Sequence, residues 1–330
     1  MFPKCVSLFL TSIFSFHLYS SAGELNYEDK KPQLYKLQQR ASKIDSRAKE
    51  YPDINFVFGT DKKPADMQFA EVDTRVKSRG KLVIWLMGNN SELFKRLSSY
   101  GMHSIGVHYA RGWFSQLHDK NDKDLEHIGK IRLEAATGKD FSTFVNIAHP
   151  DGMMERSFQF VKWLAKNNPQ GKWEYFLTKD GKGLRWEDVI VTGSSHGSTT
   201  AARFAKHVKV SRVVMFSGPR DQTQTWQSLP SATPENRFFG FTHVLDTGWP
   251  DHYHRSWKML GLEKFGPLVN VDSTAAPYKN SRMLISEADV KNDNKRAHGA
   301  SSPGSRSPKG KDGKYLYEPV WKYLFTHPVE

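Results

Sequence analysis

Asp188 to Ala205 read DVIVTGSSHGSTTAARFA, and this stretch decides the fold. Val189, Ile190 and Val191 form a short apolar run, the mark of a buried strand. The run ends at Gly193-Ser194-Ser195-His196-Gly197, a G-x-S-x-G pattern, and small helix-compatible residues follow to Ala205. Between a strand and a helix, that pattern holds a serine hydroxyl at the apex of a sharp turn beyond the sheet edge. Glycine is needed at both flanks, because a Cβ there would collide with the neighbouring strand and helix. The helix that follows points its free N–H groups at the same place, where they stabilise developing negative charge. The plainer reading of the same residues is a small-residue turn in any α/β domain.

The segments on either side repeat the unit. Upstream, Leu82 to Met87 is an unbroken apolar run, as expected of a strand covered on both faces. It stops at Gly88-Asn89-Asn90, Ser91 is expected to cap a helix over 92–100, and His103 to Tyr109 reads as the next strand. Ile54 to Gly59 and Met67 to Arg75 alternate as two early strands. Arg111 to Phe144 is long, charged and weakly periodic, with Trp113, Phe114 and His118 and a helix-like patch over 127–136. It reads as a cap near the mouth of a site or as a surface excursion. Met153 to Lys166 is an amphipathic helix ended by Asn167-Asn168-Pro169.

Downstream, Val213 to Phe216, Phe238 to Leu245 and Met283 to Ile285 are further strands. Asp251 reads as the N-cap of a helix that stops at Gly261. Ser286 to Gly313 reads as a long polar loop, and Glu318 to Phe325, with Pro319 in its first turn, as a closing helix. Alternating strands and helices predict an α/β fold with a doubly wound, mostly parallel sheet. Three regions are expected: 1–22 as a signal peptide, 23–47 as a mobile or peripheral lead-in, and 48–330 as a single domain.

Composition sets the class. The 330 residues are 25% charged and 38% hydrophobic, enough for a sizeable core and unlike a disordered chain. Aromatics reach 13%, with nine Trp, which suits a large core or an apolar or sugar-binding groove. Met1 to Ala22 has one positive charge, Lys4, then an apolar run through Phe16, and ends in Ser20-Ser21-Ala22. These are the parts of a secretory signal peptide cleaved after Ala22, so an extracytoplasmic location is expected. The one cysteine, Cys5, lies inside that segment, so the mature chain would rely on core burial and not on disulfides. No later run is long and apolar enough for a membrane span. The net charge of +13 comes from residues spread along the chain. It reads as solubility, or as a preference for an anionic substrate, and no nucleic-acid partner is expected.

A serine needs a base in reach, and the base needs an acceptor that fixes its tautomer. In open α/β sheets such groups lie at the carboxyl ends of strands. Three carboxylates qualify after Ser195: Asp246, directly after the strand FFGFTHVL; Asp221, one strand earlier; and Asp251, better placed as a cap. For the base, His298 stands in the late loop RAHGA, where a flexible segment lets it reach the serine. His243 falls inside a strand and is expected to be packed. His252 and His254 are two apart on a helix, which weakens a metal reading. His196 adjoins Ser195 and is better used through its backbone N–H, with Asn89 in the loop after Leu82–Met87 as second donor. Trp113, Trp226 and Trp249 are expected in loops that border the site.

With these residues the sequence resembles the α/β-hydrolase superfamily over roughly 82–325, and more narrowly a group of secreted bacterial serine hydrolases. The resemblance rests on GNN at 88–90, GSSHGS at 193–198, HVLD at 243–246 and RAHGA at 296–300, in the chain order Ser, Asp, His. It implies Ser195 as nucleophile, Asp246 as orienting acid, His298 as base, and ester hydrolysis without naming a substrate. The triad reading needs no metal or organic cofactor, and a small-molecule or glycan-linked ester is the expected substrate. The loop at 88–90 lacks the histidine that often precedes its glycine in the superfamily. Two other readings stay open: a peptidase or lipase of the same fold, and a non-catalytic extracytoplasmic binding protein.

Overall fold

In the computed structural model, which describes residues 25–108 and 123–329, the apolar runs lie side by side in the middle of one sheet. In chain order the strands are β1 (Leu34–Arg40), β2 (Gly59–Thr60), β3 (Lys63–Pro64), β4 (Met67–Asp73), β5 (Leu82–Trp85) and β6 (His103–Gly106). There follow β7 (Val189–Ser194), β8 (Arg212–Phe216), β9 (Phe238–His243), β10 (Val269–Asn270) and β11 (Met283–Ser286). Nine of them form one sheet in the order β1-β4-β6-β5-β7-β8-β9-β11-β10. From β6 to β10 every pairing is parallel; β4 is antiparallel to β6, and β1 to β4. This mostly parallel order, with an antiparallel start, is the α/β-hydrolase arrangement.

Alternation along the strands explains why helices cover both faces. Leu82, Ile84, Val189, Val191, Val213 and Met215 face one core. Val83, Trp85, Ile190, Val214, Phe216, Phe239 and Phe241 face the other. The described helices are α1 (Ala41–Ile44), α2 (Ser91–Ser99), α3 (His127–Thr137), α4 (Met153–Asn167), α5 (His196–His207), α6 (Tyr253–Met259), α7 (Asn294–Ala300) and α8 (Glu318–Thr326). The first core takes the apolar sides of α3, α4 and α5 and Trp257 of α6. The second takes Leu93, Phe94 and Leu97 of α2 and Val320, Trp321 and Leu324 of α8.

The structure departs from the sequence reading in several places. The segment expected as a lead-in contains β1, registered residue by residue from Leu34↔Asp73 to Arg40↔Met67. Its alternation is hard to see because an edge strand buries few side chains. Ile54 to Gly59 is not a strand; it holds a short 3-10 turn and the start of the β2–β3 hairpin. The cap of α2 is Asn90, whose side chain accepts from the Leu93 N–H at 2.9 Å, and not Ser91. Asp251 caps nothing: α6 begins at Tyr253, its N-cap position is His252, and no side chain bonds to its first turn. The patch at 127–136 is helical, as α3; Trp113, Phe114 and His118 lie outside the described residues, as does the whole of 1–22. Among the described residues, no helix is long and apolar enough to cross a membrane.

Candidate active site

The elbow is built as its glycines require. Ser195 has φ 54° and ψ −114° between β7 and α5, a conformation that costs a non-glycine residue about 1–3 kcal/mol. Backbone bonds hold it there. The Ser195 N–H donates to Phe216 O at 3.0 Å, and its carbonyl accepts from Thr199 N–H at 3.1 Å. The same carbonyl accepts from Ser198 Oγ at 2.7 Å and Thr199 Oγ1 at 2.8 Å. A Cβ on Gly193 would lie 2.4 Å from the Gly197 carbonyl carbon; one on Gly197 would lie 2.8 Å from Leu86 O and from Met87 Cγ. The second contact presses the elbow against the loop after β5, which carries Asn89. That loop is tied to the segment after His298 by the Asn90 side-chain amide, which donates to Pro303 O at 3.1 Å. His196, the other expected N–H donor, opens α5.

Asp246 and His298 are brought together, although 52 residues separate them. His298 Nδ1 lies 2.8 Å from Asp246 Oδ2. A carboxylate only accepts, so Nδ1 donates, and Nε2 is left as the basic nitrogen. The other oxygen, Oδ1, accepts from Tyr253 Oη at 3.0 Å and from the Gly248 N–H at 3.2 Å. Burial pushes the Asp246 carboxyl up. The hydrogen bond and charge of His298, with the Gly248 and Tyr253 donors, outweigh it and hold the group below the usual carboxylate range.

His298 does not sit on an irregular loop. It lies in α7, capped by Asp293, whose side chain accepts from Lys295 and Arg296 N–H. Its carbonyl accepts from Ser217 Oγ at 2.8 Å, which fixes α7 to the end of β8. Thus the serine follows β7, the tether for the histidine follows β8, and the acid follows β9, on three adjacent strands. Among the described residues no hydrogen bond joins Ser195 Oγ to His298; such bonds often close only when substrate is bound.

The alternative acid, Asp221, is engaged elsewhere. Its two carboxylate oxygens accept from Arg132 Nη2 and Nε, both at 2.7 Å, and Oδ2 also accepts from Trp226 Nε1 at 3.0 Å. Both ends of this ion pair are fully buried. Arg132 also reaches the elbow helix, donating to Thr200 Oγ1 at 3.3 Å and His196 O at 3.4 Å. Trp226, expected at the rim of the site, is a buried anchor. Trp249 stacks on His254 with ring centroids 5.3 Å apart. His243 is packed as expected: it is buried, with Nε2 2.7 Å from Ala288 O and Nδ1 accepting from Leu245 N–H at 3.0 Å. Among the described residues no three His, Cys, Asp or Glu side chains converge as metal ligands would.

Sequence reasoning missed Arg132, Tyr253 and Arg220. Arg220 Nη2 lies 3.8 Å from Asp246 Oδ1. Its position four residues after the end of β8, at the carboxyl end where site residues gather, was the available signal.

No protein-family model matches the chain, and no curated protein sequence matches it. Among solved structures it is similar to esterase B from Lactobacillus rhamnosis, in complex with a tributyrin phosphonate. That match has 14% identity and a TM-score of 0.34, over 90% of this chain and 81% of the other. It is also similar to esterase 2 of Thermogutta terrifontis, phosphorylated by paraoxon. There the identity is 9% and the TM-score 0.33, over 76% of this chain and 81% of the other. The order β1-β4-β6-β5-β7-β8-β9-β11-β10, parallel from β6 onward, defines the fold.

Proposed function

We propose that this chain is a secreted serine hydrolase that cleaves carboxylic esters through an acyl-enzyme. The observation that carries the reading is the Asp246–His298 pair at 2.8 Å, tied through Ser217 to the end of β8, the strand beside the one that leads into the elbow serine. Ser195 Oγ attacks the ester carbonyl while His298 Nε2 takes its proton. Asp246, kept ionised by its donors, stabilises the imidazolium and holds the ring. The N–H groups of His196 and Asn89 stabilise the tetrahedral oxyanion, helped by the α5 N-terminus. His298 then returns the proton to the leaving alcohol, and water repeats the sequence to free the acid. The substrate is a small-molecule or glycan-linked ester.

A chromogenic short-chain ester and a fluorophosphonate probe test this on wild type, Ser195→Ala and His298→Ala. Wild type should hydrolyse and label; Ser195→Ala should do neither. Equal activity in all three proteins, or labelling that survives Ser195→Ala, refutes the assignment.

A further inference from the structure

The proposed mechanism leaves one cation beside the acid unused. Arg220 follows β8, and its backbone joins the elbow: its N–H donates to Thr199 Oγ1 at 3.0 Å, and that hydroxyl donates to Ser195 O at 2.8 Å. Its guanidinium turns towards the acid. Nη2 donates to Tyr253 Oη at 3.1 Å and lies 3.8 Å from Asp246 Oδ1. Nε is enclosed and has no hydrogen-bond partner among the described residues. The side chain is 25% exposed, so the guanidinium still presents donors to solvent. Asp246 itself is fully buried.

For catalysis alone this arrangement is a handicap. Asp246 must stabilise a positive imidazolium, and a second cation nearby competes for the same negative charge. A neutral side chain would hold Tyr253 equally well. The arrangement becomes useful when an anion sits on the exposed edge of the Arg220 guanidinium, because the anion pairs with that charge and returns the field of Asp246 to His298. A guanidinium is suited to this, since it presents several donors in a plane that matches a carboxylate. The surroundings favour the same charge. The segment carrying Arg220 and helix α6 also wall an open groove of about 580 Å³ that includes Gln222, His254, Arg255 and Lys258. Among the described residues of its lining, Asp251 is the one acidic side chain.

We infer that Arg220 anchors a carboxylate carried by the substrate, so that the ester hydrolysed is an anionic one. This rests on the hydrolase reading, and the test separates the two. Two matched pairs of esters are compared in the full chain: mono-4-nitrophenyl glutarate against 4-nitrophenyl hexanoate, and 4-acetoxybenzoate against phenyl acetate. These place the carboxylate on the acyl and on the alcohol side in turn. Wild type should prefer the anionic member of at least one pair by roughly 10-fold in kcat/KM, the worth of a charge-assisted hydrogen bond. Arg220→Gln should lose that preference, and Arg220→Lys should regain part of it. Glutarate binding to Ser195→Ala, followed by calorimetry, should also disappear on adding Arg220→Gln.

Hydrolysis without preference for either anionic ester overturns the inference and leaves the hydrolase intact. An equal fall in kcat on all four esters in Arg220→Gln also overturns it, because Arg220 would then act only on Asp246. If no ester is cleaved, Arg220-dependent glutarate binding sustains the anion site while the hydrolase reading fails. Absence of that binding sinks both.

Discussion

Replacing Arg132 by methionine would remove both 2.7 Å donors to the Asp221 carboxylate and leave, among the described residues, only Trp226 Nε1 at 3.0 Å. The carboxylate would stay in a site with no access to water. Breaking a buried pair from one side costs about 3–5 kcal/mol, because the remaining charge is desolvated and unpaired. In a chain of this size that is a fall in Tm of roughly 4–8 °C. Arg132→Met with Asp221→Leu removes the charge as well as its partner and should regain most of the loss. Urea unfolding followed by tryptophan fluorescence reads both proteins, with Trp226 reporting from the site itself. If Arg132→Met costs less than about 1 kcal/mol, or if the double variant is no more stable than the single one, the buried Arg132–Asp221 pair does not lock the structure. The lock also assigns the two acids. Asp221→Asn should lose stability while its folded fraction still hydrolyses ester, and a selective loss of kcat without loss of stability would restore Asp221 as the acid.

Asp246→Asn should fold and yet lose about 10⁴-fold in kcat, since an amide holds the wrong tautomer of His298; circular dichroism and steady-state kinetics check both halves. Gly193→Ala puts a methyl 2.4 Å from the Gly197 backbone and should cost at least about 1–3 kcal/mol, read from the urea midpoint. His103 is fully buried, its Nε2 2.6 Å from Gly171 O, and burial pushes its imidazole down to about 4. Between that value and about 6.5, the unfolded chain binds a proton that the folded one does not. This contribution to stability is therefore complete above pH 6.5 and falls by about 2–3 kcal/mol as the pH drops towards 4.5. Urea midpoints at pH 7.5 and 4.5 should differ less in His103→Phe than in wild type; an unchanged difference would contradict it.

The elbow and the five central parallel strands were legible because their causes are local. Val189–Val191 and Leu82–Leu86 are apolar at every position, which only a doubly covered strand tolerates, and Gly193 and Gly197 mark a backbone approach that no other residue permits. The cap of α7 at Asp293 was also written in the sequence, in DNKR, but polar surroundings hid it. β1 was obscure for a different reason: its pattern is set by one antiparallel neighbour at the sheet edge, and its exposed residues carry no apolar signal. The sequence favoured Asp246 over Asp221 only through strand order and resemblance, not through any local signal. Both follow strands at the same end of the sheet, so local pattern treats them alike. What separates them is which long-range partner arrives: Arg132, 89 residues before Asp221, or His298, 52 residues after Asp246. Sequence by itself determined where a serine could be held at the sheet edge. Only the tertiary structure decided which acid meets the histidine and that a cation lies beside it, because those facts depend on packing between segments that share no local pattern.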